Sequence, residues 1–175
     1  MPVDATQTLR GALAGAVGAA VWAAQTPLDR RVFGCEFDDV ELLGKAVTRA
    51  PAWRPVGLAL HLTNGALFGA LYANLTSKMP LPSWARGPFA ATVENFVTWP
   101  LMGVSDRAHP ARKQMPPLLL NTRALAQSTW RHLLFGVILG ELERRLNTEP
   151  AAELLEYEQV VSPNGHGSLE HAISA

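Results

Sequence analysis

Cysteine and net charge are the two things this chain of 175 residues has least of. Cys35 is the single cysteine, so no intrachain disulfide holds the fold and no CxxC pair offers a redox or metal site. Lysine and arginine number 15, aspartate and glutamate 15; a formal charge of zero leaves nucleic acid no electrostatic footprint. The five histidines form no HExxH, and His61 and His132 fall on different segments without a third ligand. No metal site and no cofactor is expected from them. No serine sits in a GxSxG elbow, and Gly11, Gly15 and Gly18 follow no strand, which removes a phosphate-binding loop. No residue is assigned a catalytic role, and the chain reads as a non-enzyme.

Apolar residues, by contrast, come in long runs. The stretch Arg86 to Asp106 has a basic residue at one end, an acid at the other and about one bilayer core of apolar sequence between them. Glu94 and Asn95 interrupt its middle. A soluble helix would show a whole polar face here; in lipid, one polar spot turned toward protein suffices. Three more runs resemble it, giving expected helices at about 9–28, 55–75, 87–105 and 124–146. The fold class read from these is all-α: four transmembrane helices in an antiparallel bundle. The membrane domain covers 1–147, and 148–175 is a polar, largely disordered tail with one short helical segment around Ala151 to Val161.

Within the first run, Gly11, Gly15, Gly18, Trp22, Gln25 and Asp29 share one stripe at spacings of three and four. Small residues on such a stripe let helix backbones approach closely where lipid supplies no hydrophobic drive. Gly65 and Gly69, then Gly136 and Gly140, repeat the pattern. A cleaved signal peptide is the alternative for this run, but only Arg10 supplies its positive region and the cleavage chemistry around Ala23 is weak. Glu36 to Arg49 places acids early, bases late, and Val40, Leu43 and Val47 on one face, which predicts a short amphipathic helix on the membrane or capping the bundle. Between Arg54 and Lys78 there is no charged residue, and Trp53 and Tyr72 suit aromatic belts. The short connection after it predicts that the second and third helices are neighbours. Pro100 predicts a kink late in the third.

The intramembrane polar residues carry whatever function there is. A charge at the bilayer centre costs several kcal/mol unless paired, roughly 3 by insertion scales. The expectation is therefore that Glu94 and Arg131 pair, with His61, Asn64, Asn95 and His132 completing a hydrogen-bonded layer. That layer either fixes helix register, forms a proton- or ion-linked site, or lies at an interface.

Several motifs, taken in order, resemble the YagU-like family of small bacterial inner-membrane proteins. They are Pro27-Leu28 closing a Gly/Ala-rich first helix, His61 with Phe68 and Tyr72, and Pro100-Leu101-Met102-Gly103. His132-Leu133, Glu141, Arg144-Arg145 and Glu149-Pro150 complete the set. The resemblance spans most of residues 10 to 150. It implies a four-helix protein of the bacterial inner membrane and supplies no reaction. Glu94 lies outside the family pattern.

Three function classes follow. The first is a non-enzymatic, helix-packing or self-associating membrane component, whose partners are the lipid bilayer and a second copy or another membrane protein. The second is a small proton- or ion-linked transporter-like protein built on the layer around Glu94. The third is a membrane enzyme acting on lipid. Nine Lys and Arg residues in the first and third connections, against five in the other flanks, favour a cytoplasmic position for the two longer connections.

Overall fold

The computed structural model describes residues 4–148, and over that range the chain is all-helical. The expected tail lies outside the described residues, apart from Thr148. Helix α1 (Ala5–Phe33) begins where the Asp4 carboxylate accepts from the backbone N–H groups of Thr6 and Gln7, at 2.8 and 3.1 Å. It passes through Pro27 and stops at Gly34, whose φ of 59° is the left-handed cap that glycine adopts freely. Asp38 caps α2 (Asp39–Val47) in the same manner as Asp4. Helix α3 (Trp53–Leu75) follows, and then α4 (Ser83–Thr98).

The expected continuous helix over 87–105 is divided. Pro100 has no N–H to donate, and a 3₁₀ turn at Trp99–Leu101 separates α4 from the short α5 (Met102–Ala108). Helix α6 (Thr122–Asn147) starts on an Asn121 cap and closes the described chain.

Side-chain bonds fix the helix directions. Gln7 Nε2 donates to Ala73 O at one end of the α1–α3 pair, and His61 Nε2 to Ala19 O further along, so these helices are antiparallel. Asn147 Nδ2 reaches Gln7 O while Arg131 meets Asp29, which makes α6 antiparallel to α1. Gly87 lies against Gly136, and Asn95 against Ser128 and Thr129, which makes α4 antiparallel to α6. The order in space is α2, α3, α1, α6, α4. Helices α3 and α4 are therefore not packed neighbours, contrary to the expectation from their short connection: each packs on α1 or α6, and a cleft separates them. The first and third connections meet at one end, where His109 Nε2 donates to Leu42 O and Lys45 Nζ to Gln114 Oε1.

Glycine sets the spacing at three seams, the third of them Gly44 of α2 against Gly57 of α3. A Cβ on Gly15 would lie 2.0 Å from the Gly65 carbonyl oxygen, and one on Gly87 would lie 2.1 Å from that of Gly136. Neither backbone pair tolerates a side chain. Gly11 and Gly69 extend the first seam, Gly140 the second, and Gly18 packs against Phe135. Tyr72, expected in an aromatic belt, is instead buried with its hydroxyl against Gly140.

One helical stretch among the described residues, Trp53–Lys78, is long and apolar enough to cross a membrane by length and composition. The other helices of the expected four-span bundle do not meet those criteria. Helix α4 is 16 residues long, ~24 Å at ~1.5 Å per residue. Helices α1 and α6 carry charged residues that lower their average, Asp29 and Arg131 among them, and both of these point inward. The interior mixes large apolar side chains, Trp22, Leu118, Phe135 and Leu139 among them, with the small Ala14, Ala73 and Ala91 and the polar Gln127, Asn95, Asp29 and Arg131. Many large apolar residues also face outward, among them Leu9, Leu13, Leu67, Leu71, Phe96 and Val97.

Candidate functional site

Two polar sites occupy the half of the bundle nearer α2. The first is sealed. Arg131, fully buried on α6, donates through Nε and Nη2 to the two oxygens of Asp29 on α1, at 2.5 and 2.7 Å. Its Nη1 reaches Asp39 of α2 at 2.7 Å, and Nη2 also donates to Phe37 O at 2.9 Å. Gln25 and Gln127 donate to the remaining sides of Asp29 at 2.6 and 2.7 Å. A planar guanidinium matched to a carboxylate in this forked manner is the strong form of a charged hydrogen bond. Such a pair ties α1, α6 and α2 together, and removing one partner would leave a bare charge in the interior.

The second site is open. Between α3 and α4 runs a cleft of about 490 Å³, within the range of ~300–1,000 Å³ usual for small-molecule sites. Its walls include Leu67, Phe68 and Leu71 of α3 with Trp99 and Met102, and Trp22 and Phe135 form part of the floor. Set among them are Glu94 and His132, joined Oε2 to Nε2 at 2.8 Å. The Glu94 side chain is 37% exposed, that of His132 12%. The other ring nitrogen of His132, Nδ1, lies 2.7 Å from the carbonyl oxygen of Ser128. Trp22 holds its indole edge-on to both His61 and His132, with centroids 5.2 and 4.6 Å away, while its Nε1 donates to Asp39 at 3.1 Å.

The expected Glu94–Arg131 pair does not form. Gly87, Ala91 and Asn95 are the buried stripe of α4, so Glu94, one residue before Asn95, is rotated by ~100° toward the cleft. Asn95 takes the interior position instead, accepting from Ser128 Oγ at 2.7 Å and donating to Thr129 Oγ1 at 3.1 Å. The single expected layer is therefore two sites. His132 and Glu94 share the cleft with His61, which donates to Ala19 O. Asn64 lines the cleft from an exposed position on α3.

Asp39, Gln127 and Trp22 belong to these sites and were not expected there, and Asp29 was expected only as part of a packing stripe. The stripe itself carried the signal. A position in register with Gly11, Gly15 and Gly18 faces the interior, so an acid there needs a buried base. Arg131, four residues before Phe135 and five before Gly136, is the interior base on α6.

No group of three or more metal-ligating side chains occurs among the described residues. Comparison with known proteins returns no match: no protein-family model, no curated protein and no solved structure resembles the chain.

Proposed function

We propose that the chain is a non-enzymatic, multi-pass integral membrane protein whose four long helical segments, α1, α3, α4 with α5, and α6, cross one bilayer. The observation that carries this reading is extensive exposed apolar surface together with buried charge. Leucine, valine and phenylalanine cover much of the outside, while Arg131, Asp29, Gln127 and Asn95 lie in the interior along with Leu139, Phe135 and Trp22. Water-soluble domains rarely expose apolar surface on that scale, whereas lipid requires it and turns polar groups inward. Close glycine seams are the packing device that membrane helices use. The motifs that resemble the YagU-like family suggest the same location, the bacterial inner membrane, and the lysine and arginine count favours cytoplasmic longer connections.

The glycine seams are filled by the chain's own helices. Association with a second copy or another membrane protein would thus use the exposed leucine and valine rows, not those seams. The buried polar side chains support a structural role: Asp29 and Arg131 engage each other and their neighbours on three helices, α1, α2 and α6.

A second reading, a proton- or ion-linked protein, is favoured by the Glu94–His132 pair, which lies in an open cleft rather than a closed core. The test of the first reading is cysteine accessibility in intact cells. With Cys35 replaced by serine, single cysteines at Leu13, Leu67, Val97 and Val137 should resist a membrane-impermeant maleimide, while one at Ser77 should react from outside. Labelling of all five from the same side as rapidly as in denaturant would overturn it.

A further inference from the structure

The open cleft has a charge character that its walls alone do not suggest. Among the described residues, Asp39 and Glu94 are its acids, and no lysine or arginine lines it. Arg131 lies behind Asp39 and is committed to two carboxylates, so Asp29, Asp39 and Arg131 together retain one negative charge. The titratable and charged groups around the Glu94–His132 pair are Asp39 from α2, His61 from α3, and Arg131 with Asp29 behind them. None of these places a free positive charge in the cleft.

The heavy-atom geometry of the pair also calls for a hydrogen between its two members. His132 Nδ1 faces a backbone carbonyl oxygen, which only accepts, so Nδ1 carries hydrogen. His132 Nε2 faces a Glu94 oxygen at 2.8 Å, and a hydrogen must lie on that line as well. Either the imidazole is charged beside a carboxylate, or Glu94 is protonated and donates to Nε2. Both forms contain one proton more than a neutral histidine and an ionised glutamate, and both are neutral as a pair. Losing that proton would set two acceptors against each other in an apolar cleft, unless another cation took its place.

We propose that the cleft between α3 and α4 binds a lipophilic monovalent cation against Glu94 and releases one proton from the Glu94–His132 pair as it does so. This rests on the second reading above and names its ligand class. As the cation arrives, the hydrogen on the Glu94–His132 line leaves to water; Glu94 remains as the carboxylate counter-ion, and neutral His132 keeps its Nδ1–H on Ser128 O. The walls formed by Leu67, Phe68 and Met102 take the apolar body of the ligand, beside the aromatic lining of Trp22 and Trp99. An anion of the same shape finds no positive partner there.

The test uses the purified full chain in detergent micelles, titrated with tetraphenylphosphonium and, separately, with tetraphenylborate, its anionic counterpart of the same shape. Tryptophan emission reports binding, and an indicator dye in weakly buffered solution counts protons. Saturable binding of the phosphonium with one proton released, and no saturable binding of the borate, is the expected result. Glu94→Gln should weaken binding roughly thirtyfold or more and abolish proton release, while Val137→Ala on the exterior should change neither. Equal binding of the borate, binding without proton release, or an unaffected Glu94→Gln variant would overturn the proposal. Extraction of the same protein from membranes separates the two levels: a chain that needs detergent but ignores the phosphonium refutes the ligand and leaves the membrane reading standing. A chain monodisperse in water refutes the membrane reading, and the phosphonium titration still decides the cleft.

Discussion

Asp29 and Glu94 are both carboxylates on long helices, and both are hydrogen-bonded to residues one apart on α6, Arg131 and His132. Their surroundings differ in every other respect. Asp29 is 1% exposed and receives bonds from Arg131, Gln25 and Gln127. Glu94 has His132 and the weaker Thr98 hydroxyl, at 3.4 Å, and opens onto a cleft. A fixed pair with its valences filled can hold helices in register, but it cannot exchange anything. A pair on the wall of an open cleft, with few other bonds, adds less to the fold and can be reached from outside.

The largest effect that would break this contrast lies on the sealed side. Arg131→Met should destabilise the bundle by about 3–5 kcal/mol, because Asp29 would be left as an uncompensated buried charge. Reversible denaturation in mixed micelles measures it. A stability equal to wild type would mean that Asp29 has another partner. Gly15→Val comes next, at about 1–3 kcal/mol. The branched side chain would meet the Gly65 carbonyl and force α1 away from α3, which the same assay reads. Glu94→Gln sharpens the comparison from the open side: a loss of no more than about 1 kcal/mol is expected, since the amide can still donate to His132 Nε2. A loss as large as that of Arg131→Met would erase the distinction between the two sites. The smallest effect is expected at Arg30, which bonds Asp38 at 3.0 Å in a partly exposed network. Arg30→Ala should cost about 0–1 kcal/mol and fade further in high salt, as thermal melts at two ionic strengths would show.

How far these sites could be read from residues alone follows from the helical period. All-helical architecture was legible, because the apolar runs are long and their small and polar residues recur at helical spacing. The glycines were legible as packing positions, since spacings of three and four put them on single stripes. Which stripe faces which was not, and Gly87, which closes the second seam as a lone glycine, carries no spacing pattern at all. The identity of Arg131's partner failed for a related reason. Pairing Arg131 with Glu94 matched one mid-helix charge with another, although Glu94 sits off the buried stripe of Gly87, Ala91 and Asn95. Asp29 looked like the charged end of the first helix because its run seemed to stop at Leu28. Helix α1 continues to Phe33, which carries Asp29 inside. The cleft was invisible because a short connection between α3 and α4 argued for contact. The glycine seams decide otherwise by drawing α3 onto α1 and α4 onto α6.

The membrane reading requires that lipid, not water, covers the leucine and valine rows outside the two carboxylates. The decisive measurement is to wash membranes from expressing cells in alkaline carbonate, sediment them, and follow where the chain goes. Retention in the pellet until detergent is added is the predicted result. Release into the supernatant as a single, detergent-free species would contradict it.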